Sequence, residues 1–416
     1  MTLLAERMMA LLWRSGMAWQ ARSIVSQRAE FVKLAIEGGA SVSGLCERFG
    51  ISRQTGHKWL NRYRAEGAAG LEDRSRRPET SPEKTPAAME SLIVALRSQH
   101  PVWGGRKLKA RLEQLGHKGV PSASTITAIL GRRGLIMPEA SEAAKPWRRF
   151  EHEHPNDLWQ MDFKGPIATH RGACQALTVL DDHSRFSLGV RACADQRTST
   201  VRRELTRMFE VYGLPWRMLA DNGPPWSGAT GEQWTELKVW LLTLGIPMIH
   251  GRPYHPQTQG KEERFHRTLS AELLRRADLR DRAHAQRLID PWRDVYNLER
   301  PHEAVGMKPP VSRYRPSERS MPSRPPAHEP SPDQTARVVR EGGHVRYGGE
   351  RWYLGRAWDK RTVGLQEAEE DGLIDVWFGP YRIAQLNPRW KEAADRVRSV
   401  PVGRCAPSLH RPHKES

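Results

Sequence analysis

Cysteine is scarce in this 416-residue chain, and Cys46, Cys174, Cys193 and Cys405 lie far apart with no C-x-x-C spacing. That excludes a zinc knuckle or a disulfide framework as the organising device. Long apolar runs are also missing, and no window approaches the roughly 18 consecutive apolar residues that a membrane span needs. Met1 to Met17 is broken by Glu6, Arg7, Arg14 and Gly16, so it reads neither as a span nor as a signal peptide. The expectation is a cytoplasmic protein with no membrane partner. Acidic charge is short as well: 48 Asp+Glu face 66 Lys+Arg for a net charge of +18, and residues 1–150 hold 25 basic against 13 acidic side chains. A front of that charge calls for a polyanion, and with no membrane segment the polyanion indicated is nucleic acid.

At roughly 100–200 residues per domain, the length suggests two to four units. Residues 24–72 read as three short helices. Phe31, Leu34, Ala35 and Ile36 recur at helical spacing until Gly38-Gly39, a second helix runs from Ser41 to Phe49, and Gly50-Ile51 turns into a third capped by Ser52. Trp59, Leu60 and Tyr63 of the third are expected inside, with Arg53, Gln54, His57, Lys58 and Asn61 facing out. This is the pattern of a helix-turn-helix whose last helix reads the major groove of double-stranded DNA. A polar linker at 73–84 leads to a second unit of the same kind at 85–138.

From residue 150 to 318 the pattern becomes mixed. Short β-rich segments at Leu158–Phe163, Gln175–Leu180 and Phe186–Ala192 precede a helix at Thr198–Tyr212. Strand Arg217–Ala220, helix Glu232–Leu244, strand Met248–His250, a helix from about Lys261 and another at Asp281–Leu298 follow. Three strands and then strand–helix alternation suit a mixed five-stranded sheet with helices, an RNase H-like α/β order. A proline-rich linker at 319–334 leads to a small all-β barrel at 335–392 and a basic tail at 393–416. The fold class is therefore multidomain, running from all-α through α/β to all-β.

Three acidic positions stand out. Alternation along Trp159-Gln160-Met161-Asp162-Phe163 puts Gln160 and Asp162 on one sheet face, and a carboxylate inside a strand is costly unless something binds it. Asp221 closes Met218-Leu219-Ala220 and opens Asn222-Gly223, at the strand end where α/β sites gather. The third comes from the loop-to-helix string Gly251-Arg252-Pro253-Tyr254-His255-Pro256-Gln257-Thr258-Gln259-Gly260-Lys261-Glu262-Glu263-Arg264-Phe265, where two glutamates are adjacent. Phe265, Leu269 and Leu273 define a buried stripe that holds Glu262, with Glu263 on its margin.

Leu158-Trp159-Gln160-Met161-Asp162, Leu180-Asp181-Asp182-His183-Ser184-Arg185, Asp221-Asn222-Gly223 and the string from His255 to Leu269 together resemble the integrase core of bacterial insertion-sequence transposases, related to retroviral integrases. Asn297-Leu298-Glu299-Arg300-Pro301-His302 resembles the segment that follows this core. The resemblance implies a DDE-type polynucleotidyl transferase in which Asp162, Asp221 and Glu263 are catalytic and hold Mg²⁺, with Mn²⁺ able to substitute. Register assigns the glutamate to Glu263 and the family's apolar slot to Glu262, a departure from that pattern. Lys261, Arg264 and Arg267 are expected on phosphate. Asp181 and Asp182 are expected as turn residues, and His152 and His154 as solvated linker residues.

The implied activity is hydrolysis at the element's ends followed by strand transfer into target DNA. Its partners would be terminal inverted repeats, target DNA and further copies of this chain assembled on DNA in the bacterial nucleoid. Two rivals remain at this stage: a DNA-binding regulator with a decayed catalytic fold, and an RNase H-like nuclease without strand transfer.

Overall fold

The computed structural model describes residues 24–39, 41–74, 84–136, 151–226, 233–250, 260–370, 372–389 and 396–400. The chain divides into one compact unit up to Lys84 and a second from Thr85 onward. Most of the loop 224–231, the motif residues 251–259, much of the linker 73–84 and nearly all of the basic tail lie outside the described residues.

In the first unit, α1 (Ile24–Glu37), α2 (Val42–Phe49) and α3 (Arg53–Glu66) pack around Phe31, Val32, Leu45, Cys46, Trp59 and Leu60. Ser41 and Ser52 cap α2 and α3 by accepting from the Gly44 and Thr55 amides, each at 3.2 Å. Gly50 takes the left-handed turn between them at φ 64°. Tyr63, expected inside, lies at the surface instead. The chain turns back after α3, and Leu71, 1 % exposed, closes the core in its place.

A Cβ on Gly56 would come within 2.5 Å of Cys46 Sγ and 2.9 Å of Phe31 Cζ. Gly56→Leu should therefore cost this unit about 2–3 kcal/mol through overpacking. A lowered first transition in calorimetry would show it, and an unchanged one would mean that the helices yield.

The second unit opens with α4 (Ala87–Gln99), α5 (Gly105–Gln114) and α6 (Ala123–Arg132) around Ile93, Trp103, Leu108, Ile126 and Ile129. These helices pack onto the α/β core: Val295 joins their cluster, Arg111 pairs with Glu299, and Gln114 donates to the Met307 carbonyl at 3.2 Å.

The core is a five-stranded sheet in the order β3-β2-β1-β4-β5, built from β1 (Trp159–Thr169), β2 (Gly172–Asp181), β3 (Ser187–Cys193), β4 (Met218–Ala220) and β5 (Met248–His250). The first three are antiparallel neighbours, while β4 runs parallel to β1 and β5 parallel to β4. Alternation sends Trp159, Met161, Leu177 and Val179 to one face, under α7 (Thr198–Tyr212) and α8 (Glu236–Thr243). The other face, with Ala176, Leu180 and Val190, lies under α9 (Gly260–Leu269) and α10 (Arg282–Leu298). Asn297 completes the β3 edge, accepting from the Ser187 amide at 2.8 Å and donating to its carbonyl at 2.9 Å.

Beyond the core, the expected small barrel is realised as an antiparallel sheet of β6 (Thr335–Val338), β9 (Thr362–Glu367), β10 (Ile374–Phe378), β11 (Tyr381–Leu386) and β12 (Val397–Ser399). No ladder among the described residues joins its edges β6 and β12. The hairpin of β7 (His344–Tyr347) and β8 (Glu350–Tyr353) sends Val345 and Trp352 into the core beneath the sheet, which leaves less need for closure. The preceding linker is strapped down: Arg319 donates to the carbonyls of Pro215, Leu244 and Gly245 at 2.5, 3.1 and 3.0 Å.

Candidate active site

The parallel register pairs Trp159 with Met218 and Gln160 with Leu219, and its continuation sets Asp162 level with Asp221 on adjacent strands. Asp162 thus stands within β1, at its fourth residue, beside Asp221 just past the carboxyl end of β4, about 5 Å apart in strand spacing. Asp162 is partly exposed and accepts from the Phe163 amide at 2.7 Å. Burial pushes its carboxyl up to about 6, and the charge of Asp221 adds to the rise against the pull of that amide. Asp221 accepts from the Gly223 amide at 3.0 Å. Its carbonyl receives His250 Nδ1 from the end of β5 at 2.7 Å. A carbonyl only accepts, so Nδ1 carries the proton, and the buried Nε2, which has no partner, presents a lone pair.

The start of α9 meets this pair on the sheet face that both carboxylates share, opposite to Met161 and Ala220. His266 Nδ1 stands 3.8 Å from Asp162 Oδ2, and positions 262 and 263, one turn earlier, border the same side of the helix. Glu262 is buried and Glu263 exposed. Glu262 Oε2 lies 3.1 Å from the Thr178 hydroxyl, and Oε1 has no partner. Burial and the charge of Asp162 raise the Glu262 carboxyl well above the usual range. Thr178 also lies 3.0 Å from the Asp162 carbonyl and 2.8 Å from His266 Nε2, which burial keeps neutral by lowering its pKa to about 4.

The donors here are mostly hard oxygens, and two carboxylates side by side, with Asp162 raised by burial and by its neighbour's charge, are the signature of negative charge awaiting a cation. Among the described residues, no three His, Cys, Asp or Glu are grouped as a metal cage. The Asp162–Asp221 pair suits an ion that keeps several waters and draws further ligands from α9 and from a phosphate.

Several expected residues occupy other roles. Lys261 does not reach outward: it is ion-paired with Asp182, whose carboxylate is fully buried and needs a cation to balance its charge. Arg264 and Arg267 are exposed beside Glu263. Asp181 and Asp182 are buried acceptors rather than simple turn residues, and the His152 amide donates to Asp182 at 2.8 Å. His152 is consequently half-buried, and that burial lowers its pKa. Arg53, Gln54, His57, Lys58 and Asn61 all stand exposed on α3. Sequence reasoning missed Thr178 and His250, which carry no motif of their own, and gave no role to His266 inside the quoted string. Thr178 could have been found from its register opposite Asp162.

Comparison with known proteins agrees with this architecture. A helix-turn-helix domain family matches residues 27–79 and a homeodomain-like domain family residues 55–130. Two integrase core domain families match 152–256 and 244–310, and the C-terminal domain of IS481 family transposases matches 333–393. An uncharacterized 39.2 kDa protein of insertion element IS476 from Xanthomonas euvesicatoria is 27% identical over 279 residues, covering 66% of this chain and 78% of that protein. An uncharacterized 31.7 kDa protein of insertion element IS407 from Burkholderia multivorans is 24% identical over 235 residues, covering 55% of this chain and 80% of that protein. Among solved structures, the catalytic core domain of BIV integrase is 22% identical with a TM-score of 0.29, covering 38% of this chain and 92% of that one. Helix-turn-helix units, an integrase core domain and a C-terminal domain of the IS481 transposase type thus follow one another on one chain, which is similar over two-thirds of its length to an insertion-element protein.

Proposed function

We propose that this chain is a transposase that binds the terminal inverted repeats of its element through its helix-turn-helix units. Assembled as a multimer on DNA, it hydrolyses the phosphodiester at each end and joins the freed 3′-hydroxyl to target DNA. The observation that carries this reading is the half-buried Asp162 carboxylate, level with Asp221 on the neighbouring parallel strand and faced by the acidic first turn of α9.

In this reading Asp162 and Asp221, with Glu263 from α9, hold divalent metal, Mg²⁺ or Mn²⁺. When bound, such ions make the attacking oxygen more nucleophilic and stabilise the leaving one. The protein's own part is position. Asp162 is held by the Phe163 amide and Asp221 by the Gly223 amide, so neither has to be reorganised when phosphate arrives. Exposed Arg264 and Arg267 flank the cleft and would bind phosphate oxygens on either side of the scissile bond. On α3, Arg53, Gln54, His57, Lys58 and Asn61 would meet base edges and backbone in the major groove. The place of action is the bacterial cytoplasm, on the nucleoid.

One observation favours a second assignment within the same reaction: it is Glu262, not Glu263, that is buried beside Thr178 and feels the charge of Asp162. On a repeat-end oligonucleotide with Mg²⁺, Glu263→Gln is expected to lower 3′-end hydrolysis and strand transfer about 10³-fold, while Glu262→Gln lowers them no more than about tenfold. The reverse ranking would move the ligand to Glu262, and full activity in both variants would remove α9 from the metal site.

A further inference from the structure

Asp182 sits at the end of β2 with no side-chain exposure, and three distant parts of the chain converge on its carboxylate. Gln160 Nε2 on β1 donates to Oδ1 at 2.5 Å, Lys261 Nζ in the first turn of α9 donates to the same oxygen, and the His152 amide donates to Oδ2 at 2.8 Å. The turn itself does not need Asp182. Asp181 does that work, accepting from the Ser184 amide at 2.8 Å, the Ser184 hydroxyl at 2.5 Å and the Asn156 amide at 2.7 Å. A second buried carboxylate is expensive to desolvate, and here it is matched by one cation and two neutral donors that come from neither side of the turn.

The partners are informative by their place. Gln160 is two residues before Asp162 on the same face of β1, and Lys261 immediately precedes the two glutamates on α9. In the first turn of α9, the Lys261 ion pair to Asp182 ties the helix to the β2 end and, through Gln160, to β1, while the neighbouring Glu262 meets Thr178 farther back along β2. We infer that Asp182 is a positioning residue, which pins Gln160 and Lys261 to one point and thereby fixes the height of the α9 carboxylates relative to Asp162. This inference rests on the proposed catalytic role of the Asp162 site.

The mechanical argument is one of scale. A helix advances about 1.5 Å per residue, and a catalytic group displaced by about 1 Å loses on the order of 10²-fold in rate. Removing the charge of Asp182 leaves Lys261 buried and unpaired, and the least costly relief is for the α9 start to move outward so that the ammonium reaches water. The glutamates would move with it. Affinity for the repeat sequence should change little, because the groups proposed to read bases lie on α3 and only the phosphate contacts proposed for Arg264 and Arg267 ride on α9.

The test compares Asp182→Asn, Lys261→Met, the double variant and Lys261→Arg in the full-length protein. It reads kcat and KM for strand transfer on a repeat-end oligonucleotide, Mn²⁺ affinity without DNA, amide hydrogen exchange of residues 260–266, and the melting temperature. Each single neutralising variant is expected to lower kcat about 10²-fold with KM changed less than threefold. Mn²⁺ binding should weaken about tenfold, and the first turn of α9 should exchange faster. The double variant should be no worse than either single one, and Lys261→Arg, which keeps the pair, should recover at least tenfold of kcat.

If Asp182→Asn does not fold, the Lys261 variants carry the same comparison. Wild-type kcat, Mn²⁺ affinity and exchange in the neutralising variants would overturn the inference, as would additive losses in the double variant. Asp162→Asn in the same assay separates the two layers. Should that variant remain active, the catalytic reading has failed, whereas an inactive Asp162→Asn beside a fully active Asp182→Asn sinks the positioning role alone.

Discussion

Replacing Asp162 with asparagine is expected to lower 3′-end hydrolysis and strand transfer by at least about 10³-fold, while the folded chain becomes more stable without metal at neutral pH. The two effects have one origin. Burial and the neighbouring Asp221 charge hold the Asp162 carboxyl up at about 6, so the ionised form is paid for in folding free energy and held ready for a cation. The group is about a third exposed, and after solvent screening the relief on removing its charge is on the order of 1 kcal/mol.

The sign with pH follows from a folded value raised above the ordinary 3.8 of an aspartate. The penalty is present above about 6 and disappears as pH falls toward 3.8, so the variant's advantage should be seen at pH 7.5 and be absent at pH 4. Mg²⁺ or Mn²⁺ should reverse the ranking. At one hundred times its Kd, a bound ion stabilises the wild type by about 2.7 kcal/mol and should do much less for the variant. Thermal melts at the two pH values with and without metal, beside a strand-transfer assay, test all of this. A variant that is inactive but gains no stability, and a wild type indifferent to metal, would mean that Asp162 is not the metal-holding carboxylate.

Asp181→Ala should be the most damaging single change to the core, lowering its stability by roughly 3–5 kcal/mol. The carboxylate is fully buried and its three donors, the amides of Asn156 and Ser184 and the Ser184 hydroxyl, have no water to turn to. The loss would spread through Asn156, a left-handed residue at φ 67° whose side chain accepts from Trp159 Nε1 at 3.0 Å and donates to the Arg315 carbonyl at 2.9 Å. Asp181→Asn keeps one acceptor oxygen and should cost about half as much. Urea denaturation of the two variants against the wild type would measure the difference, and equal small losses in both would show that the turn is held mainly by its backbone.

Where local chemistry decides an element, the sequence was sufficient. Helix Thr198–Tyr212 and strand Met248–His250 lie where their patterning places them, and Ser52 caps α3. Elements decided by distant partners were not legible. Strand β1 runs on to Thr169 past Gly165-Pro166, a pair that reads as a break, because β2 pairs with it through a bulge between Lys164 and Ile167. Strand β6 is exposed along its whole length, so Thr335–Val338 has no inward face to alternate.

The site divides in the same way. Strand alternation and strand-end position pointed to Asp162 and Asp221, and helix phase put Glu262 on the inner stripe with Glu263 at its margin, as their burial now reads. The inward turn of Lys261 depends on Asp182, 79 residues earlier, and no periodicity carries information over that distance.

The Arg319 strap changes what the C-terminal sheet can contribute. A free linker of 16 residues would leave its far end spread over roughly 20 Å, so any contact made there would be diluted by the volume searched. Arg319 fixes only the near end of that linker, and the packing of Trp234, Val239 and Leu242 with Val363, Val376 and Leu386 of the sheet holds the far end. Whatever surface the sheet offers is presented at one fixed reach from the catalytic cleft, as a stop on a ruler is, and lengthening residues 320–334 should leave that reach unaltered so long as this packing holds.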